Sequence, residues 1–251
     1  MIEPILNGAT HCGRKMATGR VEGSEPDIVI LGKKDIEEAR ALCEECFPIV
    51  YPDSWYQKTF KSRDPSSLSR GRIPFGISSQ GKLVALLVAN IQSVHEAEEE
   101  GVSLDSSCTH FSMKAVYLSI LGVTRSHRSK GYATKLLFHL LGWLSSRAIH
   151  AKVIYLHVLA SNAPALSFYH KHGFQVQEHI SNYYELQDGF HTGILCTKYV
   201  NGGKPKPALM YRAYSMMKYV GMGCLGSVNS IVSWAWEATS WEAKQKDKSL
   251  L

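Results

Sequence analysis

The stretch that decides the fold runs from Leu121 to Thr134: Leu-Gly-Val-Thr-Arg-Ser-His-Arg-Ser-Lys-Gly-Tyr-Ala-Thr. It joins a strongly apolar run, Met113 to Val123, to a Leu-rich segment, Gly131 to Ile149. The run reads as a strand and the segment as a helix. Between them, R-S-K-G-Y-A (Arg128 to Ala133) places Gly131 and the small Ala133 where backbone can approach a ligand closely. A helix starting there offers unpaired N–H groups and its positive dipole end to an anion. Arg125, His127, Arg128 and Lys130 add charge at the same point. The arrangement suits a pyrophosphate but lacks the Lys-Ser/Thr of a P-loop, which argues against a nucleoside triphosphatase. An ordinary basic loop is the other reading. A nucleic-acid patch fits poorly, because no aromatic platform for bases surrounds the turn.

Working outward, Val153 to Leu159 reads as a buried strand, and Pro164 to His172 as a helix stopped by Gly173. Phe174 to Ile180 and Ile194 to Val200 read as strands, and Asn201-Gly202-Gly203 closes the domain. Upstream, Ile28 to Leu31 is a short strand. The following helix starts at Asp35, with Glu38 completing a D-x-x-E capping box. Ile36, Ala39, Cys43, Cys46 and Phe47 share one face of it. Pro48 and Pro52 stop that helix and make FPIVYPDSWY (Phe47 to Tyr56) a rigid aromatic loop. Ile73 to Ser79 and Leu83 to Gln92 form a hairpin around Gln80-Gly81, and the acidic HEAEEEG run within Ser93 to Thr109 reads as a solvated loop. The order, β-α-(α)-β-β-β-α-β-α-β-β, implies an α/β sheet with helices on both faces. Residues 1–26 read as a disordered leader, 27–203 as the domain and 204–251 as a tail.

Composition narrows the class. The 251 residues are 45% hydrophobic and 20% charged, which argues against a disordered chain. No apolar run reaches the length of a membrane span, and residues 1–26 hold no signal-peptide core. Six cysteines are sparse for a disulfide scaffold of this length, so a reducing compartment is expected. Cys43-x-x-Cys46 has no second pair to complete a zinc site, so it reads as core packing and no metal is expected. The net charge of +6 is unevenly placed: the tail has seven Lys or Arg against three Asp or Glu. From Met210 on, that tail also holds four of the seven Met and three of the five Trp.

R-x-x-G-x-A after a strand resembles the acetyl-coenzyme A loop of the GCN5-related N-acetyltransferases (GNAT). FPIVYPDSWY, AVYLSILGV (Ala115 to Val123), YLHVLASNAPALSFYHKHGF (Tyr155 to Phe174) and YVNGG (Tyr199 to Gly203) are similar to NatF-type N-alpha-acetyltransferases. The resemblance spans Ile28 to Gly203. It implies a GNAT fold, a mixed central sheet of about seven strands with helices on both faces. It also implies transfer of acetyl from acetyl-coenzyme A (acetyl-CoA) to N-terminal amines of proteins that retain the initiator Met.

The same resemblance implies a site. His157 would deprotonate the amine through a water, with a pKa near the working pH. Tyr117 would hold that water or protonate the leaving thiolate. From the residues alone, a satisfied core histidine and a packed tyrosine remain open. Leu121, Gly122 and Val123 would lie on a strand splayed from its neighbour, freeing amides for the pantetheine and the thioester carbonyl. Ser129, Lys130, Gly131, Tyr132, Ala133 and Thr134 would take the pyrophosphate. Asn162 and Tyr169 match cofactor positions; Asn162 equally suits a helix N-cap, and Tyr169 a core position. Phe47, Tyr51, Ser119 and Tyr184 match positions that hold the substrate. Val50 departs from the Glu of human-type sequences, so the carboxylate that would select a basic second residue is missing here. Glu185 to His191 is rewritten in the hairpin that pairs protomers in the family, so the implied homodimer is open.

In the tail, Met210, Tyr214, Met217, Val220 and Cys224 share a helical face, as do Ile231, Trp234, Ala238 and Trp241. Apolar and Trp-rich on one side and basic elsewhere, the tail reads as interfacial helices on a membrane surface; packing on the domain or on a partner is the alternative. Each Lys or Arg near an anionic leaflet contributes about 1 kcal/mol. The family's tail also binds membranes, which implies the cytosolic face of the Golgi, or of the plasma membrane. Lysine acetylation and a non-catalytic acetyl-CoA-binding adaptor are the rival functions.

Overall fold

A computed structural model describes residues 27–61, 71–108, 112–147 and 149–207. The expected leader and the helical faces of the tail lie outside these described residues. In chain order come β1 (Ile28–Ile30), a 3₁₀ turn (Lys33–Asp35), α1 (Ile36–Cys46), α2 (Asp53–Thr59), β2 (Gly71–Ser79) and β3 (Lys82–Ser93). They are followed by α3 (Val94–Glu99), β4 (Lys114–Val123), α4 (Tyr132–Ser146), β5 (Ala151–Leu159), α5 (Ala163–Lys171), β6 (Gln175–Leu186) and β7 (Gly189–Tyr199). The strands form one sheet in the order β1-β2-β3-β4-β5-β7-β6. Only β4 and β5 pair in parallel, with α4 as their crossover; the other pairs are antiparallel. This is the mixed seven-stranded sheet that the resemblance implies.

The centre of the sheet is buried on both faces. Leu83 through Ala89 of β3 are each 7% exposed or less, which is why this strand reads as a continuous apolar run and not as an alternation. One core joins β2, β3, β4 and β5 to Leu136, Leu137, Leu140 and Leu144 of α4. The opposite face packs Ile36, Ala39, Leu42 and Cys43 of α1 and Trp55 and Tyr56 of α2 against Leu86, Val88 and Ile120. Gln80 and Gly81, at φ 52° and 76°, make the left-handed two-residue turn that suits the twist of the β2–β3 hairpin.

Four local expectations are corrected. The end of the Phe47-to-Tyr56 loop is helical, since α2 starts at Asp53 directly behind Pro52. The D-x-x-E box does not form: Asp35 ends the 3₁₀ turn, and its carboxylate reaches back to accept from the Gly32 amide at 2.7 Å. Glu38 instead accepts from the Leu83 amide at 2.7 Å, tying α1 to β3. The HEAEEEG run is not wholly a solvated loop, because α3 forms there behind a capping box of its own. Ser93 Oγ accepts from the Glu96 amide at 3.2 Å, and Glu96 accepts from the Ser93 amide at 2.7 Å. Finally, β6 and β7 run well past Ile180 and start well before Ile194, as a long hairpin with an irregular middle. The polar alternation of this arm hides it from an apolar reading. No described helix is long and apolar enough to cross a membrane. Lys204 and Lys206 pack back on the domain: Lys204 O accepts from the Asp105 amide at 2.9 Å, and Lys206 pairs with Glu98 at 2.8 Å.

Candidate active site

β4 and β5 stay paired only as far as Tyr117 and Tyr155. Beyond that point β4 continues with β3, up to Val123 opposite Ala85, while β5 continues with β7, up to Leu159 opposite Gly193. The sheet therefore opens as a fork, and one edge of Leu118–Val123 is released from strand pairing. Ser119 is the extra residue of a bulge, since Leu118 faces Ala89 and Ile120 faces Val88; its Oγ donates to Val88 O at 3.4 Å. Past the bulge, Gly122 permits close approach. A Cβ there would lie 3.1 Å from two atoms of the Phe47 ring, so Phe47 lies close against the forked strand.

The basic turn closes the open end. Ser129 and Gly131 both adopt left-handed backbone, at φ 60° and 82°. Gly131 is the residue before the first turn of α4, and a Cβ on it would meet nothing within 4 Å, so glycine is required there for its backbone angle. The amides of Tyr132, Ala133 and Thr134 begin α4 and have no intrahelical acceptors. Thr134 Oγ1 is within 3.2 Å of His172 Nε2, whose Nδ1 lies 2.8 Å from Phe168 O and so carries the proton. Glu45 accepts from the Arg125 amide at 2.6 Å and Arg128 Nε donates to Val123 O at 3.2 Å, anchoring the turn to α1 and β4.

At the fork sit the two residues singled out for chemistry. The rings of Tyr117 and His157 are 5.8 Å apart, and Tyr155 lies 5.1 Å from Tyr117. Burial drives the Tyr117 phenol well above its ordinary range, so it is a protonated donor. The expectation for His157 needs correction: burial pushes its pKa down to about 3, far from the working pH, and the imidazole is neutral. His157 Nδ1 is buried without a hydrogen-bond partner among the described residues. Tyr51 and Tyr184, 6% and 7% exposed, both act electrostatically on Tyr117, so the structure gathers them at this fork. Tyr51 is held by Trp55, 4.6 Å away, and faces Phe47 at 6.4 Å.

Asn162 and Tyr169 have structural work in this structure. Asn162 Oδ1 accepts from the Ala165 amide at 3.2 Å as the cap of α5, and Tyr169 packs between Phe168 and Phe174. Cys43 is buried with its thiol pushed up to about 12 by desolvation, as core packing requires. Among the described residues no cluster of His, Cys, Asp and Glu could hold a metal.

Several residues of this face are missed by the sequence reading. Glu100, just past α3, accepts from Tyr155 OH at 2.8 Å and from Gln92 Nε2 at 3.3 Å, and Asn90 donates to Gln92 Oε1 at 2.9 Å. Burial pushes the Glu100 carboxyl up to about 7. Its only visible signal is the S-x-x-E box, which turns an acidic run into a helix that delivers the last Glu inward. The folded chain thus keeps a proton here that the unfolded chain releases above about pH 4.5, so stability falls as pH rises from there to about 7. Glu100→Gln keeps an acceptor for Tyr155 but abolishes this slope. Its advantage over the parent should grow across that window to at most about 3 kcal/mol, measured by urea unfolding at pH 5 and pH 8. Parallel profiles would remove the buried-proton argument.

The acetyltransferase (GNAT) family profile matches residues 36–174. The chain is 32% identical over 183 residues to N-alpha-acetyltransferase 60 of Danio rerio, covering 72% of this chain and 73% of that protein. It is 31% identical over 223 residues to N-alpha-acetyltransferase 60 of Drosophila melanogaster, covering 80% of each. It is 20% identical over 194 residues to histone acetyltransferase MCC1 of Arabidopsis thaliana, covering 77% of each. In three dimensions it is similar to Arabidopsis thaliana NAA60 solved with acetyl-CoA: TM-score 0.61 at 22% identity, over 71% of this chain and all of that one. The forked sheet, the left-handed turn at the start of α4 and these relatives agree, and the chain belongs to the acetyltransferase (GNAT) family, in its NatF-type N-alpha-acetyltransferase branch.

Proposed function

We propose that the protein transfers acetyl from acetyl-CoA to the N-terminal amine of proteins that retain Met1, chiefly membrane proteins whose termini face the cytosol. The observation that carries this reading is the fork after Tyr117 and Tyr155, with a donor phenol and a neutral imidazole facing each other at its apex. The fork fits the coenzyme: one edge of Leu121, Gly122 and Val123 is unpaired with β5, and the turn from Ser129 to Thr134 points the start of α4 at an anion. Acetyl-CoA supplies the activated acyl group. The chain's own residues place the amine and handle its proton.

His157 accepts a hydrogen bond from the amine or from a water beside it. An imidazole with a pKa of about 3 orients that group but does not store its proton. As the nitrogen bonds to the acetyl carbon and the C–S bond breaks, the nitrogen's proton passes to water, and water restores the proton that the tyrosine gives to the thiolate. Tyr117, protonated throughout the working range, is the donor for a departing thiolate. Tyr51 and Tyr184 flank the peptide, with Phe47 between the coenzyme's path and the first side chain. Val50, 56% exposed on the α1–α2 connection, offers an apolar rim to the second residue, as Met-Leu and Met-Ile termini require. The proposal extends to a peripheral protein on the cytosolic face of the Golgi or plasma membrane, held by residues 204–251. It includes a homodimer through the β6–β7 hairpin, where Phe190 is 64% exposed.

A panel of Met-initiated peptides, each with a free or blocked α-amine and one internal Lys, tests the activity. Acetylation of the free terminus alone is expected. Modification of blocked peptides would favour lysine acetylation, and binding of acetyl-CoA with no product would favour an adaptor. In the same preparation the full chain should sediment with anionic liposomes and be released by replacing Trp234 and Trp241 with Glu; retention would exclude the tail as the anchor.

A further inference from the structure

The β6–β7 arm is irregular at one place. Ile180 pairs with Gly193 and Tyr184 with His191, so Ser181, Asn182 and Tyr183 together face Thr192 alone. Asn182 takes left-handed backbone at φ 58° within this bulge. The excess chain folds Tyr183 inward, and its ring stacks on His157 with centroids 4.3 Å apart and planes 17° from parallel. Its hydroxyl hydrogen-bonds Tyr117. Gly193 lies beneath this ring: a Cβ there would sit 2.7 to 2.9 Å from the Cδ1, Cγ and Cβ atoms of Tyr183, closer than side chains tolerate. Tyr155 also contacts both residues at the apex of the fork, but edge-on to His157; among the described residues Tyr183 is the ring stacked on the imidazole face.

We propose that Tyr183 is a positioning residue, laid over His157 by the Asn182 bulge and the bare backbone of Gly193, which fixes the imidazole relative to Tyr117. This rests on the acetyl-transfer reading above. A stacked ring closes one face of the imidazole to water, and the bond to Tyr117 ties the donor to the same plate. The other titratable groups on this face are Tyr155 of β5, whose ring is 6.4 Å from His157, Glu100 behind it, and Glu178 of β6, whose carboxylate lies near Gly101. Glu100 bonds Tyr155, so the ring that covers the imidazole directly is Tyr183. Losing that cover readmits water and lets the imidazole titrate toward its ordinary range near 6.5.

The test compares full-length Tyr183→Ala, Tyr183→Phe and Gly193→Ala with the parent, using one Met-initiated peptide. Tyr183→Ala should lower kcat on the order of 10²-fold, the scale of a misplaced reacting group, with KM for acetyl-CoA unchanged. It should also add an acid limb to the pH profile. Tyr183→Phe keeps the stack and should recover most of kcat. Gly193→Ala should reproduce Tyr183→Ala, and the double variant should be no worse than either, because both changes remove one contact. A peptide KM effect with unchanged kcat would overturn the proposal, as would multiplicative losses in the double variant. Should Gly193→Ala fail to fold, NMR titration of His157 in Tyr183→Ala and Tyr183→Phe still decides, and the same pKa in both would overturn it. That titration needs no turnover, so an inactive parent would count against the acetyl-transfer reading alone.

Discussion

Replacing His157 with Ala is expected to lower kcat/KM for an N-terminal peptide on the order of 10²-fold, the scale of a lost orienting contact, while acetyl-CoA binding survives. The loss follows from where the imidazole sits. It lies on β5 just past the last β4–β5 pair, 5.8 Å from Tyr117, with a buried Nδ1 that no described residue satisfies. A buried ring nitrogen without a partner is costly unless it serves a ligand. Removing the imidazole should therefore cost activity far more than stability. The proposed coenzyme contacts lie on β4 and at the start of α4, so dissociation of acetyl-CoA, followed by calorimetry, should change little. Near-parent turnover in a folded His157→Ala protein would refute the role. The parent's free-enzyme pH profile supplies an independent check: with the imidazole neutral down to about pH 3, no acid limb near 6.5 is expected from His157.

Trp55→Ala is expected to destabilise the protein by about 3 to 5 kcal/mol. For a chain of this size that lowers Tm on the order of 10 °C, read by a thermal melt. Trp55 is fully buried, and three aromatic rings lean on it: Tyr51 at 4.6 Å, Tyr56 at 5.1 Å and Phe60 at 6.4 Å. The cavity left by the indole sits directly behind Tyr51, one of the residues proposed to hold the peptide. Peptide KM should rise in the same variant at temperatures where it remains folded, since Tyr51 loses the surface that fixes its ring. A Tm within a few degrees of the parent would show that the cluster collapses onto the void. Trp55→Phe, which keeps an aromatic ring in place, should lie between the two proteins.

Much of the scaffold is legible locally. The Gln80-Gly81 turn, the stop at Gly173, the Asn162 cap and the β4-turn-α4 junction each depend on a few adjacent residues, and each occurs where the residue types place it. Burial of β3 on both faces is likewise written in its unbroken apolar run. Errors arise where a polar residue has two partners to choose from. Asp35 can cap forward or reach back to Gly32, and Glu38 can close a local box or cross to the Leu83 amide; the packing of α1 on β3 selects the second in each case. The acidic run misleads because four carboxylates suggest solvent, whereas the Ser93 cap starts a helix that turns the last of them inward.

The candidate site divides in the same way. Residue types suited to the chemistry, Tyr117, His157 and the turn from Ser129 to Thr134, stand out in the sequence, and resemblance to a family lends them roles. Their state does not stand out. That His157 is held neutral and not tuned near the working pH follows from desolvation, which depends on every element that closes over it. Tyr183 and Gly193 are ordinary members of a polar arm until a bulge brings one ring over another and leaves no room for a Cβ. By itself, then, the sequence determined the order of the strands, the glycine turn before α4 and the branch of the family, because these rest on short-range geometry and on residue identity. Only the tertiary structure decided where the sheet forks, which carboxylate is buried and which ring covers the imidazole, because burial and stacking arise between residues far apart in the chain.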